Sequence, residues 1–224
     1  MTTPPPPIAH LYVLLDRSGS MQAIADDVIG GFNHLLAEQK ADGADARMTL
    51  VQFDSQDPEE VIADAVPVLE VVDLDAATFV PRGGTPLLDA TGRIIARASA
   101  HAAQLAACGS PAEDITIVTV TDGQENQSRE LGLDQVRAMI SAKQSAGWTF
   151  AFLSAGLDAY GEAGRMGLDA RSTQAFPASA AGARAAWAST SEAVSRKRDH
   201  LRRGEDFDRQ DLFEGEKKAE DGDA

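Results

Sequence analysis

Three short stretches of the sequence concentrate oxygen-bearing side chains at turns. They are Asp16-Arg17-Ser18-Gly19-Ser20, Gly84-Thr85-Pro86 and Thr121-Asp122-Gly123. Asp16 and Asp122 offer two carboxylates, and Ser18, Ser20 and Thr85 offer three hydroxyls, with no imidazole or thiolate in the set. Ligands that are all oxygen suit a hard cation, Mg²⁺ first, with Mn²⁺ or Ca²⁺ as alternatives. Zinc would ask for nitrogen or sulfur. Alternate residues at 16, 18 and 20 let an irregular turn aim its side chains at one point, with Gly19 easing the backbone. Mg²⁺ takes about six ligands and keeps several waters. Two carboxylates cancel its charge only formally, and where they act partly through water the ion stays electrophilic. It can then accept an acidic side chain from another protein. That is a binding design, since a hydrolytic site would add a base beside a metal-bound water.

These stretches need elements that hold them together. His10–Asp16 is apolar without alternation, as a strand buried on both faces requires. A helix is predicted from Met21 to Lys40, with Ile24, Val28, Phe32, Leu35 and Leu36 on one face and Gly43 beyond its end. Arg47–Asp54 predicts a second strand. Glu60–Val72 predicts a third, turned near Pro67 and paired with the second as a hairpin. Pro86 suits the first turn of a helix over Leu87–Ala107. Asp114–Thr121 is rich in β-branched residues and reads as a strand. A helix over Leu133–Ala146, a strand over Trp148–Ser154, a short helix near Ala159–Met166, a weak strand at Ser172–Phe176 and a long helix over Ala178–Arg203 complete the order. Strands separated by helices imply an α/β fold: a doubly wound, Rossmann-like, mainly parallel six-stranded sheet with helices on both faces. Ligands of such sheets bind outside the carboxyl ends of the strands, where the strand order reverses. Each of the three stretches lies at such an end or in a loop near it.

Residues 1–8 read as a Pro-rich, disordered leader, 9–203 as the folded domain and 204–224 as an acidic, disordered tail with nine acids against three bases. Within the tail, Phe207, Leu212 and Phe213 are the residues that could instead form a docking motif. The net charge of −15 argues against nucleic acid or an anionic membrane as partner, because phosphates need clustered Lys and Arg. The single cysteine, Cys108, precludes an internal disulfide and reads as a helix-end residue. With neither a signal peptide nor an apolar span of membrane length, the expected location is the cytoplasm. His10, His34, His101 and His200 are scattered and read as core-edge or surface residues, not ligands. Arg17, Met21, Arg82, Gln124, Glu125 and Asn126 could line the rim of the site and set its specificity.

Asp16-Arg17-Ser18-Gly19-Ser20-Met21 resembles the DxSxS motif of von Willebrand factor A (vWA) domains. Gly84-Thr85-Pro86-Leu87 resembles that family's threonine loop, and Thr121-Asp122-Gly123 its final aspartate. The resemblance spans roughly residues 9–200 and implies the vWA fold with a metal-ion-dependent adhesion site, or MIDAS. It implies that Ser18, Ser20 and Thr85 ligate through their hydroxyls, and Asp16 and Asp122 directly or through water. It further implies a protein partner; related stand-alone domains often work beside AAA+ ATPases or in stress and defence systems. Two other readings compete with this binding module. A phosphohydrolase using Asp16 as nucleophile would usually carry a second Asp at position 18, which is Ser here, and neither a G-x-S-x-G elbow, a P-loop nor a G-x-G-x-x-G is present. A structural or oligomeric subunit would ignore the metal.

Overall fold

The apolar run at the start of the chain forms β1 (Ala9–Asp16), buried along nearly its whole length. Successive side chains of a strand point to opposite faces, so a strand between two cores must be apolar at consecutive positions. Leu11, Val13 and Leu15 enter one core, and Tyr12 and Leu14 the other. The computed structural model describes residues 7–156, 158–217 and 220. The further elements are α1 (Ala25–Ala41), β2 (Ala46–Phe53), β3 (Glu60–Pro67), α2 (Leu87–Ala107), β4 (Asp114–Thr121), α3 (Leu133–Ser145), β5 (Thr149–Ser154), α4 (Ala159–Arg165), β6 (Thr173–Ala175) and α5 (Ala180–Arg203).

The six strands lie in the order β3-β2-β1-β4-β5-β6. All neighbours are parallel except β3, which returns antiparallel beside β2 as the short polar link between them requires. The order reverses between β1 and β4, so the crevice of this sheet opens where Asp16 and Thr121 end their strands. One core, under α1 and α5, takes Val28, Phe32, Leu35, Trp187 and Val194. The other, under α2, α3 and α4, takes Ile94, Ile95, Val136, Ile140 and Ala163. No helix among the described residues is long and apolar enough to cross a membrane. Cys108 is exposed at the C-terminal cap of α2.

The structure departs from the sequence reading in two places. The helix expected from Met21 begins as a 3₁₀ turn over Gly19–Ile24, and α1 starts only at Ala25. Met21 and Ile24 are three apart and both buried, and a 3₁₀ turn stacks such a pair on one side. The second place is the tail. Its low apolar content predicts solvation, yet Leu212 and Phe213 are fully buried in the core beneath α1 and α5. The Arg196 guanidinium donates to the Phe213 carbonyl at 3.0 Å, and the Leu212 N–H donates to Ser172 Oγ at 3.2 Å. An average over the whole segment hides two adjacent side chains that suffice to pin it. The first six residues of the leader and residues 218, 219 and 221–224 of the tail lie outside the described residues.

Gly31 of α1 packs directly against Trp187 of α5. A Cβ added there would lie 1.9 Å from Trp187 Cδ1, and the indole is 1 % exposed. Overpacking of this kind costs about 1–3 kcal/mol. Gly31→Ala is therefore expected to lower the urea midpoint clearly, whereas Gly30→Ala, where nothing lies within 4 Å, is expected not to.

Candidate functional site

The five oxygen-bearing residues meet in the crevice between β1 and β4. Asp16 is the last residue of β1 and fully buried. Its Oδ1 accepts the Ser18 N–H at 2.7 Å, and its Oδ2 accepts the Thr121 hydroxyl at 2.5 Å. Ser18 Oγ lies 3.1 Å from Ser20 Oγ, and Ser20 Oγ donates to Asp122 Oδ1 at 2.8 Å. Ser18 precedes the 3₁₀ turn but makes no side-chain cap bond there, so its hydroxyl is not spent on the turn. Thr85 is 1 % exposed, and Gly123 explains the space in front of it. A Cβ added at position 123 would lie 3.0 Å from Thr85 Oγ1, 3.7 Å from Ser20 Oγ and 3.9 Å from Asp16 Oδ2. The glycine, in the third stretch, thus leaves a small cradle walled by three oxygens from the other two.

Backbone hydrogen bonds stitch the loops into this arrangement. Gly19 N–H donates to Gly83 O at 3.0 Å, and Arg82 N–H to Arg17 O at 2.7 Å, which fastens the threonine loop to the serine turn. Thr85 N–H donates to Asn126 Oδ1 at 3.0 Å, and Asn126 N–H donates back to Thr85 O at 3.1 Å. Helix α2 receives its caps from the loop after β4. Leu88 N–H donates to Glu125 Oε2 at 2.8 Å and Asp89 N–H to Ser128 Oγ at 3.1 Å. Asp89 answers by accepting the N–H groups of Arg129, Glu130 and Leu131.

Burial pushes the Asp16 carboxyl up to about 6, against the hydrogen bonds from Thr121 and Ser18, with the charge of Asp122 adding to the rise. Burial also raises Asp122, opposed by the bond from Ser20. Two carboxyls that the protein alone makes reluctant to ionise, set among hydroxyl oxygens, form a donor set that fits a hard cation.

Most residues expected to line the rim build the site instead. Arg17 is buried, and its Nε donates to Asp54 Oδ2 at 2.7 Å. Arg82 Nε donates to the same oxygen at 2.9 Å. Burial would raise Asp54, but the Gln56 N–H and the two guanidiniums hold it below the ordinary carboxylate value. Met21 is fully buried, and Glu125 and Asn126 are occupied as described above. Gln124 alone of that group stays exposed without such a task. Beside it a groove of about 250 Å³ runs between Leu87, Leu88, Leu133 and Met166. Asp54 itself carried no sequence signal beyond its place after β2.

Two of the histidines are not scattered: His10, buried, and His101, partly exposed, both meet Glu113 at the opposite end of the sheet. Ninety-one positions separate the two histidines in sequence, so only the β1–α2–β4 topology brings them together.

Comparison of the sequence with protein-family models and with curated proteins found no match. The fold has clear counterparts among solved structures. The chain is similar to the pilus adhesin SpaC from Lactobacillus rhamnosus GG in its open conformation, with a TM-score of 0.60 at 12% identity. That match covers 85% of this chain but only 30% of the adhesin. The SpRpn10 VWA domain matches with a TM-score of 0.55 at 10% identity, over 79% of this chain and 92% of that one. Manganese-loaded TRAP protein of Plasmodium vivax matches at 0.50 and 15% identity, over 78% of this chain and 70% of that one. The strand order, the two-sided helical cover and these likenesses agree: the chain has the von Willebrand factor A fold.

Proposed function

We propose that the chain is a protein-binding module that holds a divalent cation, Mg²⁺ or Mn²⁺, with Asp16, Ser18, Ser20, Thr85 and Asp122. The observation that carries this reading is the cradle in front of Gly123, where oxygens of Thr85, Ser20 and Asp16 face one small space. When bound, the cation supplies a Lewis-acidic position for an oxygen ligand, best a carboxylate, from a partner. The chain's own residues then have separable tasks. Ser18, Ser20 and Thr85 present neutral oxygens, which leave the ion short of negative charge. Thr121 and the Ser18 N–H fix both oxygens of Asp16, which also argues against Asp16 as a free nucleophile and against an enzyme. The groove beside Gln124 offers apolar contact for residues flanking the partner's acidic side chain. Manganese in the TRAP structure and adhesion by SpaC lend the reading support. The exposed, unpaired Cys108 fits a reducing compartment such as the cytoplasm.

The test is titration of the full chain with Mg²⁺ and Mn²⁺ by calorimetry, followed by affinity capture with and without EDTA. Wild type is expected to bind one equivalent. Gly123→Val, which fills the cradle, and Thr85→Ala are expected to weaken binding by about 10–100-fold, the scale typical of losing a group that supports a metal. Partners captured in Mg²⁺ are expected to be lost both in EDTA and with either variant. Equal capture in every arm would favour a metal-independent structural subunit and sink the reading.

A further inference from the structure

We propose that His10, His101 and Glu113 form a second cation site, selective for borderline ions of the Zn²⁺ class. It sits at the amino-terminal edge of the sheet, roughly 20 Å from Asp16, since six residues of β1 at ~3.3 Å each separate them. His10 Nδ1 lies 2.6 Å from Glu113 Oε2, and His101 Nε2 lies 3.2 Å from the same oxygen. The three candidate ligand atoms all fall within 4.8 Å of one another. Tetrahedral zinc with bonds near 2.0–2.1 Å sets its ligand atoms ~3.3 Å apart, so small side-chain shifts complete the set. Two imidazole nitrogens and one carboxylate are the donors zinc prefers, and three protein ligands leave a fourth position for water or another ligand.

The surroundings are those of a built site. His101 Nε2 is buried and makes no hydrogen bond despite its closeness to Glu113. A lone pair aimed at an ion would account for that. The second nitrogen of His10, Nε2, lies 2.9 Å from Thr49 Oγ1. A hydroxyl both donates and accepts, so Thr49 serves His10 whether Nδ1 carries a proton or gives its lone pair to a metal. Arg47 Nε, 3.2 Å from Glu113 Oε1, orients the carboxylate from behind. The same two residues also bracket Ala65, a non-glycine residue with φ of 51° at the bulged edge of β3. Its N–H donates to Thr49 Oγ1 at 2.9 Å, and its carbonyl accepts from Arg47 at 3.0 Å. Such a conformation persists where its surroundings over-determine it, which makes Thr49 and Arg47 a stiff support. His101 opens onto a groove of about 530 Å³, in which Glu59 and Asp64 are paired with Arg97.

The test uses EDTA-stripped full-length protein in excess Mg²⁺, titrated with Co²⁺ as a coloured probe for zinc and then back-titrated with Zn²⁺. Wild type is expected to develop visible Co²⁺ absorption that saturates at one equivalent and is displaced by Zn²⁺. His101→Ala, at a partly exposed helix position, and Glu113→Gln are expected to weaken Co²⁺ by about 100-fold or more, since even supporting residues cost 10–100-fold. Asp16→Ala is expected to bind Co²⁺ as wild type does, which separates this site from the one at the carboxyl end of the sheet. Circular dichroism identifies variants that remain folded, with His101→Gln as the alternative if the alanine does not. The proposal is overturned if wild type shows no saturable Co²⁺ absorption, if the folded His101 and Glu113 variants retain it, or if Asp16→Ala alone removes it.

Discussion

Asp16→Asn is expected to abolish Mg²⁺ binding and, in EDTA at pH 7.5, to raise stability by about 2–3 kcal/mol. Asp16 is fully buried, and burial lifts its carboxyl to about 6 from 3.8. A raised carboxyl stabilises the fold while it holds its proton and loses that contribution as pH climbs through the folded value. Near pH 4 the variant and the metal-free wild type should therefore differ little, and the gap should open between about pH 4 and pH 6. The amide fits the hydrogen-bond pattern. Its oxygen still accepts the Ser18 N–H, and its NH₂ donates to Thr121 Oγ1. The Thr121 proton then turns to the Gly123 carbonyl, already 3.2 Å away. Mg²⁺ at a hundred times its Kd should return ~2.7 kcal/mol to wild type and nothing to the variant. Thermal melts at pH 4, 6 and 7.5, with EDTA or Mg²⁺, read all of this. Identical melting of the two proteins in EDTA at every pH would contradict the electrostatic account, and equal stabilisation of both by Mg²⁺ would remove Asp16 from the metal. In this account the residue costs the empty fold stability and recovers it through the ligand, as functional residues often do.

The elements were legible because their signals are local. The uninterrupted apolar runs of β1 and β4, the 3.6-residue face of α1 and Pro86 at the start of α2 each report the environment of their own neighbours. The order of those elements dictates a parallel sheet, and the sheet dictates that Asp16 and Asp122 approach one another. What stayed hidden depends on partners far away in sequence. Arg17 and Arg82 look like free rim charges until Asp54 turns toward them. Glu125 and Asn126 look like loop polarity until α2 proves to lack its own caps, since Pro86 makes no side-chain cap bond. His10, His101 and Glu113 carry no spacing signal, because a cluster assembled from a strand, a helix and a loop has none. Leu212 and Phe213 were diluted by acidic neighbours, although burial depends on the two side chains and not on the average.

Asp54→Ala is expected to cost about 3–5 kcal/mol, which is the usual consequence of removing one partner of a buried ion pair. Asp54 is fully buried and serves four donors. Oδ2 takes the Nε groups of Arg17 and Arg82, and Oδ1 takes the N–H groups of Gln56 at 2.6 Å and Asp57 at 3.1 Å. Alanine would leave the Arg17 guanidinium, 3 % exposed, with only Gln52 and the partly exposed Glu60 beside it. The urea midpoint should fall by about 1–2.5 M for an m-value of ~2–3 kcal/mol/M. Arg82→Ala leaves the buried Asp54 carboxylate still paired with Arg17 and two backbone N–H groups, and Arg82 itself is 41 % exposed, so the change should cost no more than ~1 kcal/mol. The two variants should nevertheless share a functional defect. Arg82 leads directly into Gly83, Gly84 and Thr85, and its backbone N–H is tied to Arg17 O. Freeing either side of the Arg82–Asp54 contact loosens the loop that presents Thr85 Oγ1, so Mg²⁺ affinity should fall in both, by about 10-fold. Replacing Arg17 and Asp54 together by Met and Leu should recover most of the stability lost in Asp54→Ala, because the apolar pair leaves no buried charge to satisfy. An Asp54→Ala protein within 1 kcal/mol of wild type would show that Arg17 finds solvent in the folded state. The pairing would then be incidental to how the crevice is held.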